Sequence, residues 1–264
     1  MAKIIGSEQE IELMVNCKTY PAVSKKYIET VCTGGVQANG DFVRLYPIPF
    51  RFLEDEEQYG HWDVIRVKVY RDTKDQRPES WHLQPGTKIE VVKKVSTDKR
   101  RWEWMQPTVH ESTEAMTEAG LTNGCVEIEP IEFYWKPEKK EWSSSQLQTM
   151  NQGQLFISEE DLKSLSDRVP WQYRLKYREK NSGREGDAKV LAWSLYQGFR
   201  RRLRTMDETA ALEATATKVK ESIFNPEKKV FAIFGTHSRS GHWMISALYH
   251  VPVTIIRKQG GRLL

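Results

Sequence analysis

Apolar and polar residues alternate over Ile11, Leu13, Val15 and Cys17, the period of a half-buried strand. Residues 27–36 are rich in β-branched side chains and end in Gly34-Gly35. Ala38-Asn39-Gly40-Asp41 then leads into 42–46, which predicts a β-hairpin around an Asn-Gly turn. Pro47 and Pro49 end that strand, because proline has no amide hydrogen to give a ladder. Residues 62–70 give the clearest strand: Ile65, Val67 and Val69 share one face, Arg66 and Lys68 the other. Further strands are expected at 89–95 and 126–133, with a short helix around 111–119 in the polar stretch 96–124.

Residues 136–154 are rich in Lys, Ser and Gln and are read as a long loop. It separates a β-rich domain, 1–135, from an α+β part, 155–264, or lies within one continuous domain. Ser158-Glu-Glu-Asp161 has the spacing of a capping box. Trp171, Tyr173, Leu175 and Tyr177 alternate with Gln172, Arg174, Lys176 and Arg178, a strand with an aromatic and a basic face. Asp187 is expected to open a helix with the stripe Leu191, Leu195 and Phe199, ending in Arg200, Arg201, Arg202 and Arg204. Thr205-Met-Asp-Glu208 marks a second helix running to about Phe224. Two apolar strands, 230–234 and 243–249, flank the loop 235–241, and 253–256 reads as an edge strand. The layout is α+β: a mainly antiparallel sheet or barrel, then helices packed on further antiparallel strands.

Composition narrows the classes. Forty basic and 36 acidic side chains give a net charge of only +4, so a nucleic-acid surface requires local clustering. Nine Trp among 264 residues argue for a folded core rather than disorder. No run approaches the length of a membrane helix and no secretory signal is seen, so a cytoplasmic protein is expected. The three cysteines, Cys17, Cys32 and Cys125, form no CxxC pair. Phosphate-loop, dinucleotide, GxSxG and HExxH motifs are absent, so no cofactor and no metal are expected. Asp187-Ala-Lys189 supplies only half of a nuclease motif.

Four segments carry candidate chemistry. In the first, Lys18, Arg44 and Arg51 are interleaved with Tyr20, Tyr46 and Phe50, the mixture that grips phosphate and stacks a base. The second, 71–81, places Asp75 and Glu79 as candidate acids or bases beside Arg71 and Arg77 as phosphate ligands. The third, 235–242, carries His237 as a candidate proton donor and Arg239 as an anion ligand. The fourth is basic: 99–101 before Trp102, and Arg200, Arg201 and Arg204.

The strings CKTYPAVSKKYIETVCTGG, RLYPIPFR and RDTKDQRPES resemble an uncharacterised bacterial family with Lys-Thr-Tyr-Pro, Arg-Leu-Tyr-Pro-x-Pro-Phe-Arg and Arg-Pro-Glu-Ser motifs. The resemblance covers most of 12–81 and, more loosely, 184–252. Members of that family lie among mobile-element and phage-defence genes. It therefore implies a nucleic-acid-directed defence protein and transfers no catalytic residue.

Three functions fit these residues. The first is a cofactor-independent DNA glycosylase that flips a modified base of phage DNA and excises it. Glu79 or Asp187, with Asp75 as a further candidate, would be its carboxylate and His237 its proton donor. The second is a reader that binds a modified base without cutting, and needs no carboxylate. The third is a metal-dependent nuclease.

Overall fold

The structure is a computed structural model that describes residues 8–24, 28–72, 75, 77–138, 169–237 and 240–260. Two sheets follow each other along the chain, and the strand pairings close each into a barrel. The first uses β1 (Gln9–Lys18), β3 (Ile28–Val36), β4 (Phe42–Ile48), β5 (Asp63–Tyr70) and β6 (Ser80–Leu83). Short β2 (Ala22–Ser24) extends β3, and β7 (Glu90–Lys94) extends β5. Strands β1, β3 and β4 are antiparallel neighbours, β6 lies parallel to β4, and β5 bridges β6 back to β1.

The second barrel uses β9 (Asn123–Pro137), β10 (Trp171–Glu179), β11 (Glu185–Lys189), β12 (Lys228–Thr236) and β13 (Trp243–Pro252). Strand β8 (Val109–His110) lies parallel to β9. A parallel bridge from Val190 to Ile245 closes the ring. Numbering the five strands of each barrel separately, both run 1-2-3-5-4-1, with strands 3 and 5 parallel. That is the connectivity of an oligonucleotide/oligosaccharide-binding (OB) fold. The chain is therefore two OB-type barrels in tandem. Strand β9, from Asn123, belongs to the second barrel, because it pairs with β10 and β12.

The described residues also form helices α1 (Asp98–Met105), α2 (Thr113–Glu118), α3 (Trp193–Arg202), α4 (Glu208–Ile223) and α5 (Val253–Gly260). The Asn-Gly hairpin is present, with Gly40 at φ +91°, a conformation that favours glycine. Three expectations are corrected. Asp187 does not open a helix. It sits on β11 opposite Lys176, after a turn at Gly183, and the helix starts six residues later at Trp193. Asp207, not Thr205, caps α4 by accepting a hydrogen bond from the Ala210 amide. Residues 253–256 are helical, because the chain turns where the Val253 amide donates to the Glu227 carbonyl. The capping box at 158–161 and most of the 136–154 loop lie outside the described residues.

The two barrels share their packing. Leu13 and Val15 of β1 fill the first core, whereas Met14 and Cys17 of the same strand belong to the second. Strand β1 is thus buried on both faces, which is why its interior is apolar without clean alternation. In return, Trp193 at the start of α3 packs into the first core.

Candidate nucleic-acid interface

A cavity of about 650 Å³ lies at the seam of the barrels. Strand β1 delivers Lys18 to it, and the 3₁₀ turn after β4 (Phe50–Phe52) delivers Phe50 and Arg51. From the second barrel, α3 delivers Trp193, Ser194 and Gln197. The Lys18 ammonium sits 3.7 Å from the Phe50 ring centre, 5.1 Å from Tyr59 and 5.5 Å from Trp193. It donates to the Tyr59 carbonyl at 2.7 Å. Phe50 meets Tyr59 and Trp193 edge-on at 4.9 and 5.3 Å. Burial lowers the Lys18 pKa to about 8, against the opposing pull of Asp63.

His61 also lines the cavity. Burial, helped by the Lys18 charge and opposed by Asp63, lowers its pKa to about 4. The imidazole is therefore neutral in the folded protein at pH values where an unfolded chain already protonates it. Stability should be full above the ordinary value of 6.5 and fall as pH drops towards about 4. His61→Gln should flatten that part of a urea-unfolding pH series; an unchanged slope would assign the loss to other groups.

Described residues of the 71–81 segment form a second, buried cluster where the barrels touch. Arg44 and Glu79 pair at 3.2 Å, each side chain only 7% exposed, and Thr122 of the second barrel donates its hydroxyl to Glu79. Arg44 also reaches the Thr122 carbonyl at 3.3 Å. Arg77 forks onto Asp75 at 2.5 and 2.7 Å and donates to the Thr236 carbonyl at 3.1 Å. Desolvation alone would raise the Asp75 pKa, but hydrogen bonds from Arg77 and Ser80 and the Arg77 charge bring it down to about 2. Arg71 stacks 3.7 Å from the Trp81 ring centre and donates to the Arg77 and Ser80 carbonyls. Arg51 pairs with Glu29 at 3.2 Å. Arg44, Arg71 and Arg77, expected to hold phosphates, hold the protein together here.

The other expected residues are dispersed. Asp187 lies on the outer face of β11, accepting from Tyr134 at 2.7 Å and pairing with Arg174 at 2.9 Å; it is not among the cavity residues. The basic face of β10 is answered by carboxylates: Lys176 by Glu132, Arg178 by Glu129 and Glu185. Such a face presents little uncompensated charge to a phosphate. His237 is exposed and stacks on His242 at 5.5 Å, with the Ser240 hydroxyl bonded to both rings. Arg239 lies outside the described residues. Tyr20 packs on Tyr196 at 4.5 Å and accepts from the Val169 amide and from Arg200. Arg201 and Arg204 are exposed at the end of α3. Tyr46 on β4 is 39% exposed.

Trp193, His61 and Tyr59 were not singled out from the sequence. Trp193 joins Phe50 only once the second barrel has folded against the first, and no local pattern announces that.

Residues 105–262, more than half of the chain, match the family described as a domain of unknown function, DUF8757. The chain belongs to that family. Residues 9–111 match a second domain of unknown function, DUF8758, so DUF8757 takes in the whole second barrel and DUF8758 the first. No curated protein matches the chain. Among solved structures, an Ifi202 HINa domain in complex with 20bp dsDNA is similar at 8% identity and a TM-score of 0.36, over 94% of this chain and 99% of that one. A murine DNA binding protein bound with ds DNA is similar at 8% identity and a TM-score of 0.33, over 93% and 100%. None of the described helices is long and apolar enough to cross a membrane.

Proposed function

We propose that this chain is a DNA-binding protein that engages bases without cutting the strand. One observation carries the reading. The third strand of the first OB-type barrel bears the exposed ring of Tyr46, and its exit delivers Phe50 and Arg51 to the seam cavity. OB barrels hold strands on the face of their second and third strands, with aromatics as stacking platforms. Lys18 at the end of β1 lines the same cavity as Phe50 and Arg51. Excision would need a carboxylate beside the bound base. The described residues of the cavity lining include none, and Glu79, Asp75 and Asp187 are each committed to an arginine. Binding is thus favoured over glycosylase or nuclease chemistry. The family resemblance makes modified phage DNA the expected target.

Fluorescence anisotropy with single- and double-stranded oligonucleotides, unmodified or carrying glucosylated hydroxymethylcytosine, tests this. Tyr46→Ala should weaken binding by about 5- to 100-fold, the loss of one base–aromatic stack. Affinity should also fall between roughly 50 and 200 mM salt. No binding at low salt, or full binding by Tyr46→Ala, would overturn the reading. Alkali-labile breaks formed in EDTA would replace it with a glycosylase.

A further inference from the structure

We propose that the seam cavity is a binding site for a nucleotide, a phosphate-bearing aromatic ligand. It deepens the DNA-binding reading by assigning a pocket to one nucleotide unit, from a bound strand or free in solution. Its volume, about 650 Å³, is that of a small-ligand site. Two of its lining residues, Lys18 and Arg51, are cations, Arg51 being paired with Glu29 outside the lining, and none of the described lining residues is acidic. Helix α3 starts at its wall, and Ala192, which precedes the helix, gives no side-chain cap to the first amides. The first turn of α3 carries no acid and its last turn carries Arg200, Arg201 and Arg202. The Leu195 amide is taken by the Ala192 carbonyl, and the positive end of the helix dipole adds to the two cations, the arrangement that favours phosphate.

Two residues of the lining also carry a buried polar atom without a hydrogen-bond partner: the indole Nε1 of Trp193, a residue 8% exposed, and His61 Nε2. Buried polar atoms are nearly always satisfied, so both rings gain by turning towards a partner. Phe50 and Trp193 supply the apolar surface a base needs, and Gln58 and Gln197 each offer a donor and an acceptor for its edge. In the free protein Phe50 and the Tyr59 carbonyl hold the Lys18 ammonium, with Asp63 as its opposing charge and Arg51 and His61 beside it. An arriving phosphate favours the charged form of Lys18, so binding near pH 8 should take up a proton, and affinity should fall above that pH.

Isothermal titration with deoxyadenosine monophosphate, deoxyadenosine and inorganic phosphate tests the site. Repeating it near pH 8 in two buffers of different ionisation enthalpy reads the proton. The monophosphate should bind at least about tenfold more tightly than either fragment. Lys18→Met should cost at least about tenfold. Gln197→Glu, a half-exposed change of equal size that adds a repelling carboxylate, should do the same with the unfolding curve unchanged. An oligonucleotide run alongside separates the sources. If both variants weaken the oligonucleotide, the pocket takes a nucleotide of the strand. If they weaken only the monophosphate, it takes a free nucleotide. Monophosphate binding without any oligonucleotide binding would uphold the pocket and sink the DNA-binding reading. Variants that leave both ligands at full affinity would overturn the pocket.

Discussion

Glu79→Ala should destabilise the protein by about 3–5 kcal/mol, the cost of leaving a buried charge without its partner. Arg44, 7% exposed in the parent, would keep the Thr122 carbonyl but lose its carboxylate, and the Thr122 hydroxyl would lose its acceptor. The effect should appear as a drop of the unfolding midpoint on the order of 10 °C. The double replacement Arg44→Met with Glu79→Leu should recover much of the loss, because the desolvation penalty disappears along with the attraction. Glu79 was a candidate catalytic carboxylate, and here the two roles separate. A structural pair predicts that Glu79→Ala and Arg44→Met each lower stability and that the double variant regains DNA binding. A single variant that kept its melting curve while changing how it treats DNA would return Glu79 to the list of reacting groups.

Trp193→Ala should cost a similar amount, about 3–5 kcal/mol, since it deletes a large ring from a packed core. Its ring joins the first core from the second barrel, edge-on to Phe50 at 5.3 Å and 5.5 Å from the Lys18 ammonium. Losing it opens the seam and takes away one wall of the Lys18 cage. Urea unfolding should therefore show a lower midpoint, and limited proteolysis should find the 190–193 connection more readily. Trp193→Phe keeps the packing surface and should lose far less. A Trp193→Ala midpoint equal to the parent's would mean that the barrels hold together without this contact.

Much of the first barrel was legible because its signals are local. The Asn-Gly turn, Pro49 just past β4 and the alternation over β5 each act within a few residues, whereas Pro47, expected to help end the strand, lies inside β4. What failed depends on distant partners. The spacing of Leu191, Leu195 and Phe199 is helical, yet Asp187, just before it, is pulled into a strand by pairing with Lys176. Helix α1 hides in the polar stretch 96–124 because it buries only Trp102 and Met105, although its i,i+3 pairs, Asp98 with Arg101 and Arg100 with Glu103, are visible in the sequence. The candidate site shows the same division. Lys18, Phe50 and Arg51 were found from their mixture of charge and ring, and they do meet. Their neighbours Trp193 and His61 come from elsewhere in the chain. The arginines of the 71–81 segment looked like free cations because their carboxylate and carbonyl partners are set by the fold.

The double burial of β1 bears on how the protein is made. Synthesis runs from the first barrel to the second, so Met14 and Cys17 leave the ribosome long before the strand β13 that contacts β1 exists. Until residue 252 has emerged, the part of that strand face that meets β13 lacks its cover. The two family matches mark sequence blocks, and they do not mark parts that mature independently. The opening strand is finished last.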